Sequence, residues 1–108
     1  MVLAPKEFVD LHINANPVVV FSKKVCPYCK DVKEILTDSG IEFVEVLLDD
    51  LQNMSAVQDY MKETTGARSV PRVFIGGICI GGCDSTLELF DQGCLIPMVK
   101  SAGGVCKN

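Results

Sequence analysis

The stretch from residue 17 to residue 48 most constrains the fold, because its hydrophobic period changes twice. PVVVFS (17–22) is a short, nearly continuous β-branched run, typical of a strand covered on both faces. The next segment carries apolar residues at helical spacing: Tyr28, Val32, Ile35 and Leu36. It ends at Ser39-Gly40, and EFVEVLL (42–48) reads as a strand again. A strand, a helix of about a dozen residues and a second strand require a right-handed crossover and a parallel pair.

Two further segments have helical periodicity, at residues 5–14 and at residues 55–65. The residues predicted to face inward are Phe8, Leu11 and His12 in the first segment, and Val57, Tyr60, Met61 and Thr64 in the second. His12 is the only histidine, and we interpret it as a surface or half-buried helix residue without a catalytic role. Gly66 follows the second segment and is a typical helix terminator.

The last third of the chain predicts a hairpin, two helices and a tail. VPRVFI and ICI are separated by Gly76-Gly77, a two-residue turn that matches strand twist. A helix is predicted to start at Cys83-Asp84-Ser85, with Asp84 or Ser85 accepting hydrogen bonds from free backbone amides. The apolar residues of the two helices are Leu87, Leu89 and Phe90, then Leu95, Ile96 and Val99. The tail, residues 101–108, is predicted to be loose.

Composition and charge limit the partners that the chain can bind. Its 108 residues suffice for one domain with its own core, so residues 1–108 are taken as a single domain. The formal net charge is −4 and Lys and Arg form no long block, which argues against nucleic acid or an anionic membrane. No apolar run approaches the ~18 to 20 residues of a membrane span, and MVLAPKEFVD lacks the pattern of a signal peptide. We expect a soluble, unsecreted, cytoplasmic protein.

Six cysteines leave three alternatives for Cys26 and Cys29: a structural staple, half of a metal site, or a working redox pair. The other four are Cys79, Cys83, Cys94 and Cys106. Periodic segments and 48% hydrophobic residues disfavour a secreted disulfide framework. A closed zinc site would need Cys79 and Cys83 as its second pair, far along the chain and without a nearby histidine. The redox pair is favoured, and no metal is expected. The roles of the other four cysteines stay open, with Cys94 and Cys106 interpreted as ordinary buried or tail residues, or as partners in a regulatory disulfide.

The position of CPYC between a strand and a helix predicts which cysteine reacts. The sulfur of Cys26 would lie over the unpaired amides at the positive end of a helix dipole, and Pro27 suits the first helical turn. Nearby cations add positive potential: Lys23, Lys24 and Lys30. Cys26 is therefore predicted to have a lowered pKa and to act as the nucleophile. Cys29, one turn further on the same face, would be shielded and would resolve a mixed disulfide.

The segment GARSVPRVFIGGICIGGCDS (66–85) is the second group of residues that predicts a site. Val70 precedes Pro71 and must be extended, so its backbone N–H and C=O are able to pair with a peptide laid alongside as an added strand. A cis Val70–Pro71 bond would aim this edge at the cysteines. Composition does not select that isomer, because most proline bonds are trans.

In this order and spacing, the motifs identify a family. Lys23 stands three positions before CPYC (26–29), TGARSVPRVFIGG occupies 65–77, and IGGCDS occupies 80–85. The chain resembles, over nearly its whole length, a dithiol glutaredoxin of the thioredoxin superfamily. Thioredoxin itself is less similar, because its signature places tryptophan beside CGPC and this chain contains no Trp. The resemblance implies an α/β, thioredoxin-like fold with a four-stranded mixed sheet flanked by helices on both faces.

The resemblance also implies a glutathione site across the helix start and the proline loop. Lys23, Gln58 and Arg68 would face the glycine carboxylate of glutathione, and Val70, between Ser69 and Pro71, would pair with its cysteine residue. Gly82, Cys83 and Asp84 would hold the γ-glutamyl end, and Tyr28 would line the groove. The ligand has two carboxylates and one ammonium, which suits cations, a helix N-terminus and one acid. Ser69 replaces the commoner threonine, and Ser85 replaces the second acid of many relatives.

The implied activity is glutathione-dependent reduction of glutathione mixed disulfides through Cys26, and of protein disulfides through Cys26 and Cys29. The implied partners are glutathione, proteins that carry such disulfides and, by family resemblance, ribonucleotide reductase. The resemblance also implies a role in electron transport and a monomeric protein. The alternative is a dimer that bridges an iron–sulfur cluster. Pro27 and Tyr28 disfavour it, because the family associates cluster binding with glycine or serine after the first cysteine. An inactive interaction domain is disfavoured by the intact cysteine pair.

Overall fold

The computed structural model describes residues 2–107 as five α-helices, one short 3-10 helix and four strands. Their bounds are α1 Pro5–Ala15, β1 Val18–Ser22, α2 Pro27–Asp38, β2 Val44–Leu47, the 3-10 helix Leu48–Asp50, α3 Met54–Thr65, β3 Arg72–Ile75, β4 Ile78–Gly81, α4 Cys83–Asp91 and α5 Leu95–Ser101. No helix in this range is long and apolar enough to cross a membrane. Every predicted helix and strand is present, with ends that agree to within about two residues.

The four strands form one mixed sheet in the order β2-β1-β3-β4. β1 pairs with β2 in parallel and with β3 in antiparallel orientation, and β3 and β4 form the antiparallel hairpin around Gly76-Gly77. The predicted parallel pair and hairpin are therefore confirmed. Since β1 lies inside the sheet and all five of its residues are buried, its continuous β-branched sequence is explained.

Helices cover both faces of the sheet, as the thioredoxin-like fold requires. Alternate residues of β1 divide between two core clusters, with Val18 and Val20 on one face and Val19 and Phe21 on the other. The first face packs against α2 and α5, through residues that include Val32, Leu36, Leu95 and Val99. The second packs against α1 and α3, through Val9, Val57 and Met61. His12 is half-buried on this side and its ring contacts Phe8 edge-on, which confirms the interpretation of a packing residue.

Two residues predicted to face the core are exposed. Leu11 is 58% exposed, and Thr64 lies on the solvent side of α3. In α1 the buried position is Val9, which points about 200° away from Leu11 around the helix. In α3 the hydroxyl of Thr64 donates to the Tyr60 carbonyl at 3.0 Å, one turn back. Apolar or β-branched character at helical spacing therefore did not predict the burial of these residues. Their burial depends on which face of the helix packs against the sheet.

Two residues of α4 also remain largely in solvent, although they were predicted to fill its inner turns. Leu87 is 43% exposed and Phe90 is 47% exposed, whereas Leu89 packs against the core beside α5. The exposed pair faces a groove between α2 and α4, where no further element covers it in residues 2–107.

The prediction of a loose tail over residues 101–108 is wrong for all but Asn108, which lies outside the described residues. Cys106 pairs with the backbone of the 40–42 segment in an isolated antiparallel bridge and packs against the core. Backbone hydrogen bonds of 3.0 and 2.8 Å tie Val105 and Lys107 to the same segment. The glycines in the tail indicated a flexible segment, but they form a turn that directs the chain back to residues 40–42, between α2 and β2.

A chain shortened to residues 1–104 is expected to fold but to lose roughly 2 kcal/mol of unfolding free energy. The loss has two sources: two backbone hydrogen bonds worth ~0.5 to 1.5 kcal/mol each, and the contact of the Cys106 side chain with the core. Urea unfolding followed by circular dichroism measures it. Lys107→Gln removes only an exposed ion pair to Glu42 and should change stability by less than ~1 kcal/mol. A truncated chain as stable as the full one would contradict the docked tail.

Candidate functional site

The cysteine pair lies where β1 hands over to α2. Cys26 is the N-cap residue of α2, in an extended conformation, and Pro27 follows at the first helical position. The Sγ atom of Cys26 accepts a hydrogen bond from the Cys29 N–H at 3.2 Å, so the sulfur itself caps the helix. The two sulfurs form a disulfide across this first turn, with 5.2 Å between the Cα atoms. This is the helix-start position that the sequence predicts for Cys26.

The two cysteines differ sharply in access to solvent. Cys29 is 1% exposed and belongs to the buried core side of α2, whereas Cys26 is only partly buried. An attacking disulfide would therefore reach Cys26 first, and Cys29 would be reached only by a sulfur already bonded to Cys26. The predicted division into an accessible and a shielded cysteine is confirmed.

Of the three lysines near the cysteine pair in the sequence, Lys24 is bound by carboxylates. The ammonium of Lys24 lies 2.9 Å from Asp50, and its backbone N–H donates to Asp49 at 3.0 Å. Its hydrogen bond and charge interaction with Asp50 raise the pKa of Lys24 above its ordinary value. Lys23 and Lys30 form no salt bridge within residues 2–107. The positive potential predicted around Cys26 is therefore expected from Lys23, Lys30 and the helix amides, and less from Lys24.

The loop before β3 approaches the cysteines from the other side. The Val70–Pro71 peptide bond is cis, and the Val70 carbonyl oxygen lies 3.9 Å from the Sγ atom of Cys26. A peptide laid along this loop would thus bring its own sulfur next to Cys26. The loop therefore faces the cysteines as expected for a cis bond, the isomer that composition does not select.

A cleft of about 390 Å³ opens beside Cys26. It is lined by Tyr28, Ser69, Val70, Pro71, Arg72, Gly82, Cys83, Asp84 and Ser85. The predicted site residues of the 69–71 and 82–84 segments and Tyr28 are therefore brought together, although they are up to 56 positions apart (84 − 28) in the sequence. The 64% exposure of Tyr28 is explained by its place on the wall of this cleft.

Three predicted ligand residues do not line the cleft: Lys23, Gln58 and Arg68. Gln58 is 5% exposed, and its amide donates to the Arg68 carbonyl at 3.0 Å. The guanidinium of Arg68 is turned towards α3, where it lies 3.2 Å from Asp59 and 3.3 Å from the Ser55 hydroxyl. Gln58 thus supports the backbone from which the 69–71 loop begins.

Arg72 and Ser85 line the cleft and were not predicted. The Nε atom of Arg72 donates to the Pro71 carbonyl at 3.1 Å, and its guanidinium packs against Gly82. A Cβ atom on Gly82 would lie 2.9 Å from that guanidinium and 3.2 Å from the Pro71 carbonyl, so a side chain there would displace the guanidinium and press on the Pro71 carbonyl. The sequence signal that would have indicated Arg72 as a cleft residue is its position directly after the proline and ten residues before Gly82 of the second glycine pair.

The start of α4 differs from the prediction in a way that favours ligand binding. Gly82 is the N-cap residue, and no side chain caps the helix, so the expected hydrogen bonds from the backbone amides to Asp84 or Ser85 are absent. The first intrahelical bond of the segment joins the Thr86 N–H to the Gly82 carbonyl. The amides before Thr86 are therefore left at the cleft with the positive end of the helix dipole, an arrangement suited to a carboxylate.

Cys83 lies on the cleft wall but is a poor second nucleophile. Partial burial, followed by the negative charges of Asp31 and Asp84, raises the pKa of the Cys83 thiol above its ordinary value. It therefore remains protonated at neutral pH, and the thiolate is the reactive form. In the part of the chain that the structure describes, no three side chains of His, Cys, Asp or Glu lie together as a metal site would require.

Comparison with known proteins agrees with this geometry. The glutaredoxin family model matches residues 18–80. Glutaredoxin-C2 of Arabidopsis thaliana is 48% identical over 93 residues, covering 86% of this chain and 84% of that protein. Glutaredoxin-1 of Mus musculus is 43% identical over 105 residues, covering 93% and 96%.

Solved structures give the same result for the fold. A crystal structure of a buckwheat glutaredoxin–glutathione complex superposes with a TM-score of 0.89 at 41% identity, covering 95% of this chain and 93% of that one. Oxidized glutaredoxin 2 of Chlamydomonas reinhardtii superposes with a TM-score of 0.85 at 36% identity, covering 94% and 95%. The paired cysteines, the cleft and these similarities lead to one conclusion: the chain belongs to the glutaredoxin family, the glutathione-dependent thiol–disulfide oxidoreductases with a thioredoxin-like fold.

Proposed function

We propose that this protein reduces glutathione mixed disulfides through Cys26 alone and protein disulfides through Cys26 and Cys29 together. The observation that carries the proposal is the accessible Sγ atom of Cys26, which caps α2 beside a cleft whose opposite wall is an uncapped helix start. One helix N-terminus favours a thiolate and the other favours a carboxylate. Glutathione carries both groups.

Glutathione is proposed to lie across the cleft with its γ-glutamyl end at α4. Its carboxylate would take the amides at the start of that helix, and its ammonium would lie near the exposed Asp84 carboxylate. Its cysteine backbone would pair with Val70, whose carbonyl is already beside Cys26.

The glycine end of glutathione is proposed to extend towards Lys23 and Arg68. Lys23 forms no salt bridge among residues 2–107 and is free to turn to a carboxylate. Arg68 would exchange its exposed contact with Asp59 for the ligand, at little cost because exposed ion pairs are weak. Gln58 keeps the Arg68 backbone in place during this exchange.

In the first route the Cys26 thiolate attacks the glutathione sulfur of a mixed disulfide. The bond between that sulfur and the target breaks, the target leaves as a thiolate that takes a proton from water, and glutathione remains bonded to Cys26. The thiolate of a second glutathione attacks the sulfur of the bound one, which releases oxidised glutathione and restores the Cys26 thiolate. The net change converts one mixed disulfide and one reduced glutathione into one target thiol and one oxidised glutathione.

In the second route the substrate is a disulfide within or between proteins. Cys26 attacks one of its sulfurs, and the shielded Cys29 thiol, after losing its proton, attacks Cys26 to release the fully reduced target. The product is the Cys26–Cys29 disulfide, which is the form of the pair in this structure. Two glutathiones then reduce it, and their sulfurs leave together as oxidised glutathione.

This chemistry sets the conditions in which the protein would work. Turnover consumes reduced glutathione, so we propose a reducing compartment such as the cytoplasm, with electrons passing from glutathione to target proteins. Ribonucleotide reductase is a proposed target by family resemblance, and a monomer is the proposed working form. No observation favours the cluster-bridging dimer, which would absorb visible light after anaerobic reconstitution with iron and sulfide.

Cys29→Ser is expected to retain reduction of a small glutathione mixed disulfide and to lose reduction of protein disulfides, because only the second route needs a resolving sulfur. Cys26→Ser is expected to abolish both. The measurement is oxidised glutathione release with glutathione as reductant, and thioredoxin reductase in its place should not support turnover. Full activity of the Cys26 variant would overturn the assignment of the nucleophile.

Asp84→Asn is expected to raise the KM for a small glutathione mixed disulfide roughly two- to fivefold and to leave kcat nearly unchanged, because an exposed ion pair is weak. Asp91→Asn, with the same charge change at the far end of α4, is the matched control. A substrate whose γ-glutamyl amine is acetylated should be insensitive to Asp84→Asn. Equal effects on both substrates would contradict the proposed contact.

A further inference from the structure

A second groove, distinct from the glutathione cleft, runs between α2 and α4. Its volume is about 600 Å³. We name it the acid-rimmed groove and define it by its apolar floor and its rim. The floor consists of Ile35, Leu87, Phe90 and Ile96, and the rim on α2 carries Asp31, Glu34 and Asp38. The reaction proposed above uses none of these residues.

The floor is more exposed than the positions of its residues predict. Leu87 and Phe90 are 43% and 47% exposed, although their spacing on α4 is that of core residues. Ile35 and Ile96 are partly buried, from α2 and α5, so the exposed pair extends an apolar surface that continues into the core. Contiguous apolar surface with a charged rim is typical of a binding site for another molecule.

The rim is acidic, and its charges repel one another along α2, although Glu34 has Lys30 one turn before it. The three acids follow one face of the helix at spacings of three and four, where like charges repel. The stripe continues to Asp38, the last residue of α2, where the helix dipole also disfavours negative charge, and the last turn holds no basic residue. Asp31 and Glu34 make no hydrogen bond or salt bridge within residues 2–107, and no Lys or Arg of that range lines the groove. A cationic partner would relieve this repulsion.

The groove is continuous with the active site. Cys83 lines both the glutathione cleft and the acid-rimmed groove, and Asp31 is close enough to Cys83 to affect its titration. At a rise of about 1.5 Å per residue, Asp31 lies about 7.5 Å and Glu34 about 12 Å along the helix axis from Cys26. An extended chain covers this distance in roughly two to four residues.

We infer that the acid-rimmed groove docks the target protein of the exchange reaction, as a segment with an apolar side chain flanked by Lys or Arg, roughly two to four residues from the reactive cysteine. The apolar side chain would cover Leu87 and Phe90, and the cations would face Asp31 and Glu34. This inference rests on the proposed function, since it presupposes a target whose cysteine reaches Cys26. A second copy of the chain is disfavoured as the occupant, because it would bring the same acidic rim, on a chain of net charge −4, against this one.

The test uses short peptides with one central glutathionylated cysteine. In the first, the Lys peptide, Leu lies three positions from the cysteine on each side, and Lys lies two and four positions from it on each side. Because this arrangement is symmetric, the residues that face the groove are available whichever way the peptide runs along the groove. In the Glu peptide each Lys is replaced by Glu, and in the Ser peptide each Leu is replaced by Ser. The mixed disulfide of glutathione with 2-mercaptoethanol is too small to reach the groove and reports the chemistry alone.

The wild-type protein is expected to turn over the Lys peptide with a kcat/KM roughly tenfold above that of the Glu peptide at low salt. This ratio should approach one in the Asp31→Asn/Glu34→Gln variant, and also in wild type at 1 M salt, where the Debye length is about 3 Å. The Glu7→Gln/Glu63→Gln variant is the matched control: it removes the same two charges from α1 and α3, across the sheet, and should keep the ratio. The small substrate should react equally with all three proteins.

The apolar floor is tested separately with Phe90→Ser. This variant should reduce the preference for the Lys peptide over the Ser peptide severalfold, and because Phe90 is already half exposed the fold should remain intact by circular dichroism. An unchanged preference in a folded variant would remove the floor from the proposal.

Three results would overturn the docking surface. They are equal turnover of the Lys and Glu peptides by the wild type, an equal loss of the ratio in the two charge variants, or a dimer in sedimentation that Phe90→Ser dissolves. Failure of the proposed function has a different appearance, namely no wild-type turnover of the small substrate. Docking then remains measurable by fluorescence anisotropy, with labelled peptides in which serine replaces the cysteine.

Discussion

The hydrogen bond from the Cys29 amide to the Cys26 sulfur is the interaction on which the rest of the site depends. It requires the chain to leave β1 at Ser22 and to begin α2 at Pro27, four residues of connection later, and β1 is held at an inner position of the sheet. The same turn exposes one sulfur and buries the other. A single local geometry therefore supplies the helix end that favours an anion, the accessible sulfur of the proposed nucleophile and the shielded sulfur of the proposed resolving group.

The second half of the site, at the start of α4, also consists of a helix N-terminus that faces the cleft. At the start of α4 a glycine, not a capping side chain, leaves the helix amides open, and the close approach of Arg72 and Pro71 keeps a side chain out of position 82. Cys83 stands at this helix start but is held as a thiol by burial and by neighbouring carboxylates, which raise its pKa. Two sulfurs at two helix starts thus lie in different surroundings, since burial and then two carboxylates disfavour a thiolate at Cys83.

Sequence patterns predicted the sheet, the crossover and the cysteine geometry, because these follow from periodicity and helix-end chemistry that are local in the chain. The sequence patterns failed where the environment of a residue depends on elements that are distant in the sequence. Leu87 has the spacing of a core residue and lies in a groove, since periodicity does not reveal how far α2 stands from α4. The capping expectation at Asp84 or Ser85 failed because the N-cap residue of the helix is Gly82, which has no side chain, and its first amides are open to the cleft. The docked tail depends on contacts with residues about 65 positions earlier in the chain, which no local pattern reveals.

The location of the acid-rimmed groove has a consequence for the rate of exchange. Its two walls, α2 and α4, are the helices whose first turns hold Cys26 and the proposed γ-glutamyl site. A target bound along these walls has its cysteine positioned by the same rigid elements that position the attacking sulfur, so binding reduces the freedom that the exchange step must otherwise remove. Contacts on a separate loop would bring the target near without aligning it. Selection of the target and alignment of the sulfurs are then one event, and both depend on the packing of α2 against α4.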